Sequence, residues 1–309
     1  MRIIILLLII NSTIILSQKY EYTYLDKDST SNCYLTIFPN NKEVKGVIIR
    51  DYSSLPDAES KAPYPYKWRD LALSNGLAIV YVVSSNFFPE LFYDDSKVKV
   101  LDRVINNAIT KYNFPKDNIF IGGMSSSGTR AIRYVQYCEK GLSEFGIKIK
   151  GVFAVDSPLD FERFYNSTVH HKKYLTDGLL WEANILPEIF EKYYGGSAEK
   201  NAKNYREYSP FSYLDSTGAN AKYLLNTPII FFHEPDIDWW SNERGASYFD
   251  INSYDIAGLY VFLMKNGHKD VELFTSSGKG FNRKGERNCH SWSIVDEDYL
   301  ISWILKRVD

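Results

Sequence analysis

Short apolar segments with the length of β-strands alternate with segments of helical periodicity along most of the chain. Leu77 to Val83 is a continuous apolar run, which is typical of a strand buried on both faces of a sheet. From Val98 to Tyr112, apolar residues recur at the spacing of one helix face. The same patterns predict further strands over 20–24, 33–38, 47–50, 118–121, 149–155, 228–232 and 271–274, and helices over 129–138, 253–265 and 296–307. This alternation predicts one α/β domain over 18–309, a mostly parallel sheet between two layers of helices.

The alternation fails between Asp160 and Tyr223. This stretch is aromatic and polar, and the strand and helix pattern resumes after it. Because both ends return to the same sheet, we expect a cap insertion over about 160–223, lying at the carboxyl edge of the sheet, and not a separate domain.

The first seventeen residues form a distinct segment. Met1 and Arg2 give a short positive start, the residues from Ile3 to Ile10 are all apolar, and Ser17 is a small residue suited to cleavage. The apolar run is too short to span a bilayer comfortably. We therefore expect a signal peptide over 1–17, and a secreted or periplasmic protein with no membrane segment after cleavage.

Charge and composition narrow the class of partner. A formal net charge of −2 and 24% charged residues give no basic patch for a phosphate backbone, so nucleic acid is not expected as a partner. Aromatic residues make up 16% of the chain, and Tyr and Trp suit partly wet clefts. The three cysteines, Cys33, Cys138 and Cys289, are an odd number without metal-ligand spacing, so we expect at least one unpaired thiol and no metal site.

The strongest candidate for chemistry is Ser125. An apolar strand beginning at Asn118 runs into Gly-Gly-Met-Ser-Ser-Ser-Gly and then directly into a helix. A serine on such a sharp turn needs small residues two positions to either side, and Gly123 and Ser127 meet this need. The helix start also directs free N–H groups at a nearby oxyanion, so the Ser126 N–H is the expected first donor.

A serine nucleophile requires a base, and histidine has the fitting pKa. Of the five histidines, His290 alone lies in a loop after the last predicted strand and before the last helix. That position allows it to reach over the edge of the sheet, so we expect His290 to be the base.

The carboxylate that orients the histidine is less clearly marked. Asp236 follows Pro235 in the loop after the strand that precedes the last one, and is the preferred candidate. Asp238 is the second choice, and Asp156, beyond the strand that ends near Val155, is the third. All three alternatives remain open at this point.

The Ser125 turn and the chain order Ser, Asp, His resemble the α/β-hydrolase superfamily over about Lys45 to Arg307. The family's G-x-S-x-G pattern is present with Ser127 in place of the second glycine, and Gly128 follows. The resemblance implies a three-layer α/β/α sandwich and catalytic Ser125, Asp236 and His290, with no metal or organic cofactor. A second oxyanion donor is expected from the backbone N–H of Tyr52 or Ser53.

Three functions are compatible with these features. A carboxylesterase acting on small-molecule or carbohydrate esters is preferred. Peptidases of the family usually carry a further large domain, and the roughly 28 residues between the signal peptide and the third strand are too few to form one. A binding protein that has lost its chemistry is the third alternative. Trp239 and Trp240 are candidate substrate-binding residues, although these indoles suit a loop anchored in the core equally well. Oligomeric state is not marked in the sequence.

Overall fold

The computed structural model describes residues 19–27, 30–40, 42–55 and 67–308. The signal peptide predicted over 1–17 lies outside this part of the chain. Within it, no helix is both long enough and apolar enough to cross a membrane.

The described residues contain one eight-stranded sheet with the strand order β1-β2-β4-β3-β5-β6-β7-β8. Strands β1 and β2 run antiparallel to their neighbours. The six strands β4, β3, β5, β6, β7 and β8 pair in parallel. The strands are β1 Tyr20–Tyr24, β2 Cys33–Ile37, β3 Gly46–Asp51, β4 Leu77–Val83, β5 Ile119–Met124, β6 Gly151–Val155, β7 Ile229–His233 and β8 Val271–Thr275.

Helices connect the parallel strands and cover both faces of the sheet. Two short 3₁₀ helices, Ala221–Leu224 and Trp292–Ile294, are also present. The α-helices are α1 Lys67–Ser74, α2 Ser96–Tyr112, α3 Ser126–Glu139, α4 Phe161–His170, α5 Asp177–Tyr194, α6 Ala198–Tyr208, α7 Ile237–Arg244, α8 Asn252–Lys265 and α9 Glu297–Leu305.

Alternate residues of each central strand enter two different cores. In β4, Ala78 and Val80 belong to the hydrophobic cluster shared with α2, α3 and α8. Leu77 and Ile79 belong to the cluster shared with α1 and α9. A continuous apolar strand is required because both faces of the sheet are buried. The prediction of a mostly parallel three-layer α/β/α sandwich is confirmed.

Two helices were not anticipated from the sequence. Helix α1 has only eight residues, of which Trp68, Ala72 and Leu73 are buried, and so short a stripe gives little periodic signal. Helix α7 begins directly after Asp236, in a segment expected to be a loop, and Trp240 is its one buried residue.

The segment predicted as an insertion contains helices α4, α5 and α6, between β6 and β7. These helices share an aromatic cluster that includes Phe161, Phe190 and Tyr205, and Leu91 and Tyr93 from the segment after β4 complete it. Part of the high aromatic content therefore serves the packing of this three-helix group. The function of the group as a cap is a prediction that its packing alone does not test.

We expect Ile121→Ala to lower the free energy of unfolding by about 2–5 kcal/mol, because Ile121 is fully buried in the central strand β5 and the truncation leaves a cavity. Urea denaturation monitored by circular dichroism measures the change. Val261→Ala on the exposed side of α8 is the control, expected within about 0.5 kcal/mol of the original protein. Equal effects of the two substitutions would contradict the assignment of β5 to the core.

Candidate active site

Ser125 lies on the sharp turn between β5 and α3 in a strained backbone conformation. Its φ of 55° and ψ of −132° place a non-glycine residue at positive φ, which costs of order 1–3 kcal/mol. The Ser125 N–H donates to the Val155 carbonyl at 2.8 Å, and the Ser125 carbonyl accepts from the Gly128 N–H at 3.0 Å. The backbone on both sides thus holds the turn in place.

Close packing around this turn explains the small residues that flank Ser125. A Cβ added at Gly123 would lie 2.2 Å from the Ser127 hydroxyl, and one added at Gly128 would lie 2.1 Å from the Ser157 hydroxyl. Ser127 is accommodated because its hydroxyl donates to the Asp51 carbonyl at 2.5 Å. The serine that replaces the family's second glycine therefore ties the turn to the end of β3.

A buried ion pair fixes the end of β3 beside Ser125. The Arg130 guanidinium contacts the Asp51 carboxylate at 3.0 Å and donates to the Asp51 carbonyl at 2.6 Å. The same carboxylate accepts from the Ser84 N–H at 3.0 Å through Oδ1 and from the Ser84 hydroxyl at 2.6 Å through Oδ2, the oxygen that Arg130 also contacts. Strands β3 and β4 and helix α3 thus meet in one polar network next to the turn.

The backbone donors near Ser125 differ in part from those predicted. The Ser126 N–H is at the start of α3 and has no acceptor among the described residues, as a helix N-terminus allows. The Tyr52 N–H, in contrast, donates to the Val82 carbonyl at 2.8 Å and extends the pairing of β3 with β4. The prediction of Tyr52 as the second oxyanion donor is therefore wrong. The alternative, Ser53, borders the same cavity as Ser125, and nothing in the described part of the chain accepts from its N–H.

His290 hydrogen bonds to Asp156, the third choice among the predicted acids. The distance from His290 Nδ1 to Asp156 Oδ2 is 2.6 Å, and Asp156 is 1% exposed at the carboxyl end of β6. In the tautomer in which Nδ1 donates to this carboxylate, Nε2 is left available as a base. The Asp156 N–H donates to the Phe232 carbonyl at 2.9 Å, and the Asn252 side chain donates to the Asp156 carbonyl at 3.0 Å.

Asp236, the preferred acid, has different partners. Its carboxylate accepts from the Trp239 N–H at 3.1 Å as the N-cap of α7 and from the Arg287 guanidinium at 2.7 Å. These hydrogen bonds hold the pKa of Asp236 below its usual range. Arg287 also pairs with the buried Glu234. Asp236 thus braces the loop that carries His290, while Asp238 is exposed on the first turn of α7.

A second carboxylate influences His290 from helix α5. Burial lowers the pKa of His290, but the Asp156 carboxylate and the charge of Glu182 outweigh it, so the pKa lies above its usual value. Burial in turn raises the pKa of Glu182 to about 7, against the lowering charges of His290 and Arg163. Glu182 and His290 border a small cavity of about 170 Å³. No feature of the sequence had marked Glu182.

Ser125 and His290 border one common cavity of about 530 Å³. Its wall is largely aromatic, although the contributing residues are not those predicted. They are Tyr52, Trp68, Tyr81, Phe88 and Trp292. They come from strand β4, helix α1, a 3₁₀ helix and two connecting segments, and their wide separation in the chain hid their convergence.

Trp239 and Trp240 do not border the Ser125 cavity. Trp240 is buried and donates from its indole to the Glu234 carbonyl at 3.4 Å, whereas Trp239 stacks under Arg244 at 4.7 Å. Trp240 does border the small cavity behind His290. The structure therefore favours the interpretation of these indoles as anchors of the α7 segment.

No protein-family model matches the sequence, and no curated protein matches it. Among solved structures, a truncated form of a carbohydrate esterase from gut microbiota superposes with a TM-score of 0.58 at 12% identity, over 94% of this chain and 96% of that chain. A Rhizomucor miehei esterase superposes with a TM-score of 0.57 at 14% identity, over 94% of this chain and 84% of the other.

A Pyrococcus horikoshii acylaminoacyl peptidase has a TM-score of 0.52 at 16% identity, over 84% of this chain. The chain spans 37% of the length of that peptidase. At these identities the likeness is one of architecture, and it agrees with the strand order and helix layers described above. The chain therefore has the α/β-hydrolase fold, as the Ser125 turn predicted.

Proposed function

We propose that this protein is a serine hydrolase that cleaves carboxylic esters, with Ser125 as nucleophile, His290 as general base and Asp156 as the orienting acid. The observation that carries the proposal is the hydrogen bond from His290 to the buried Asp156 at the edge of the cavity that also contains Ser125. A strained serine, a histidine and a buried carboxylate are the groups that acyl transfer requires.

In the proposed reaction, the Ser125 hydroxyl attacks the ester carbonyl while His290 Nε2 takes its proton. The Asp156 carboxylate holds the Nδ1 proton and stabilises the imidazolium that forms. The imidazolium then protonates the departing alcohol, leaving an acyl group on Ser125. Water deprotonated by His290 releases the acid and restores the serine.

The oxyanion that forms during each attack requires donors that are already in place. The Ser126 N–H at the start of α3 is the first, and the Ser53 N–H after β3 is the proposed second. Donors held in this way need no reorganisation when the charge develops. The hydrogen bond from the Ser127 hydroxyl to the Asp51 carbonyl joins the start of α3 to the end of β3, next to these two donors.

An ester is preferred over a peptide as substrate for two reasons. The aromatic wall of the cavity suits the flat or apolar parts of an ester, including a sugar ring. The esterases reported above also match this chain over most of both lengths. Carbohydrate esters are therefore the first substrates to test. Export through the signal peptide expected over 1–17 is part of the same proposal.

We expect Ser125→Ala to lower kcat for p-nitrophenyl esters by at least about 10⁴-fold, because the nucleophile is removed. The same substitution should abolish labelling by a fluorophosphonate probe. The matched control is Ser302→Ala, at an exposed position of α9. Full activity in Ser125→Ala would exclude the proposed mechanism, and absence of labelling in the folded original protein would favour a binding protein.

Asp156→Asn should lower kcat by about 10⁴-fold while the protein remains folded, because the amide supports the wrong histidine tautomer. Asp238→Asn is the matched control, since that carboxylate is exposed on α7. Steady-state kinetics of both variants, together with Asp236→Asn, discriminate the candidate acids. A loss confined to Asp236→Asn would reverse the assignment.

The pH profile of kcat/KM should show its acidic limb above pH 6.5, because the base must be neutral and Asp156 and Glu182 together raise the pKa of His290. Removing the charge in Glu182→Gln should lower that pKa and move the limb to lower pH. Since Glu182 titrates near pH 7 in the same region, the measured values belong to the pair. Glu188→Gln, exposed on the same helix, should leave the profile unchanged, and an unmoved limb in Glu182→Gln would contradict the coupling.

A further inference from the structure

Arg50, at the end of β3, is a buried cation on the wall of the Ser125 cavity. The residue is 4% exposed, and its guanidinium borders the cavity together with Ser125 and His290. A charged group so far removed from water normally requires an ion pair or a set of hydrogen bonds.

Among the described residues, the Arg50 guanidinium makes its close contacts with aromatic rings. Its guanidinium carbon lies 4.2 Å from the centre of the Trp292 ring, 5.0 Å from Trp68 and 5.2 Å from Tyr52. Rings stabilise the face of a guanidinium but do not accept from its in-plane N–H groups. In the described part of the chain, Arg50 has no carboxylate within ion-pair distance, and its buried Nε has no acceptor.

The other charges near Arg50 are already used or lie elsewhere. Burial raises the pKa of Glu297, and the Arg50 charge lowers it by a smaller amount. The Glu297 carboxylate accepts from the Trp292 indole at 2.5 Å and from the Trp68 N–H at 3.2 Å. Arg130, on the same cavity, is neutralised by Asp51. No Asp or Glu is among the described residues that border this cavity.

We propose that Arg50 forms an anion-binding subsite of the Ser125 cavity, so that the substrate is an ester carrying a carboxylate close to the bond that is cleaved. This inference rests on the proposed function and specifies its substrate class. The aromatic rings hold the guanidinium plane, and its free N–H edge is left for a planar anion, with which it forms two parallel hydrogen bonds. A neutral ester of the same size leaves that edge unpaired.

The test compares two p-nitrophenyl esters of equal chain length, the neutral pentanoate and the anionic glutarate monoester. We expect kcat/KM to be about ten- to a hundredfold higher for the glutarate monoester, as for a buried charge-assisted contact. Arg50→Met, which keeps an apolar chain against the rings, should abolish this preference and retain hydrolysis of the pentanoate. Arg50→Lys should retain part of the preference, and the exposed Arg103→Met on α2 should retain all of it.

A second measurement does not depend on turnover. Calorimetric titration of Ser125→Ala with monomethyl glutarate should show binding that weakens tenfold or more when Arg50→Met is added, as expected for loss of a charge-assisted contact. This result would support the subsite even if neither ester is hydrolysed, a case in which the proposed function alone fails.

Three outcomes would overturn the inference. The first is equal kcat/KM for the two esters in the original protein. The second is an equal loss on both esters in a folded Arg50→Met or Arg50→Lys variant, which would make Arg50 a positioning residue. The third is unchanged binding of monomethyl glutarate after Arg50→Met in the Ser125→Ala background.

Discussion

The left-handed backbone at Ser125 is the constraint on which the site depends. A serine does not adopt this conformation without support, and here the support comes from the Val155 carbonyl, the start of α3 and two positions where only glycine fits. These contacts exist only where β5, β6 and α3 are packed together. The folded sheet is therefore what compensates for the strain, and the position of the hydroxyl on the cavity wall depends on tertiary packing.

The histidine side of the site is organised differently. His290 lies on a long loop whose position is set by charge, with Asp156 contacting the ring and Glu234, Asp236 and Arg287 bracing the loop around it. Acidic residues at the ends of two neighbouring strands thus have separate functions. Asp156 is buried against the imidazole, whereas Glu234 and Asp236 bind Arg287 in the loop that carries His290.

This division explains how far the sequence could lead. The apolar runs of β4 and β5 and the small residues around Ser125 have local causes, so the fold, the turn and the position of His290 were predictable. The choice among the acids was not predictable, because Asp156 and Asp236 both follow parallel strands. Arg287, the ion-pair partner of Asp236, lies 51 residues away in the chain. Tyr52 was misassigned because the pairing of β3 with β4 continues one residue further than its sequence pattern indicates.

Phe88, in the segment after β4, borders the Ser125 cavity and belongs to no catalytic group. Its ring stacks against Trp181 of α5 with ring centres 5.8 Å apart, and the two side chains are 58% and 45% exposed. Neither ring takes part in the hydrogen bonds described above for Ser125 and His290. Substitution of Phe88 therefore alters the cavity wall while those hydrogen bonds are kept. The size of substrate that the cavity accepts can therefore change without loss of the catalytic hydrogen bonds.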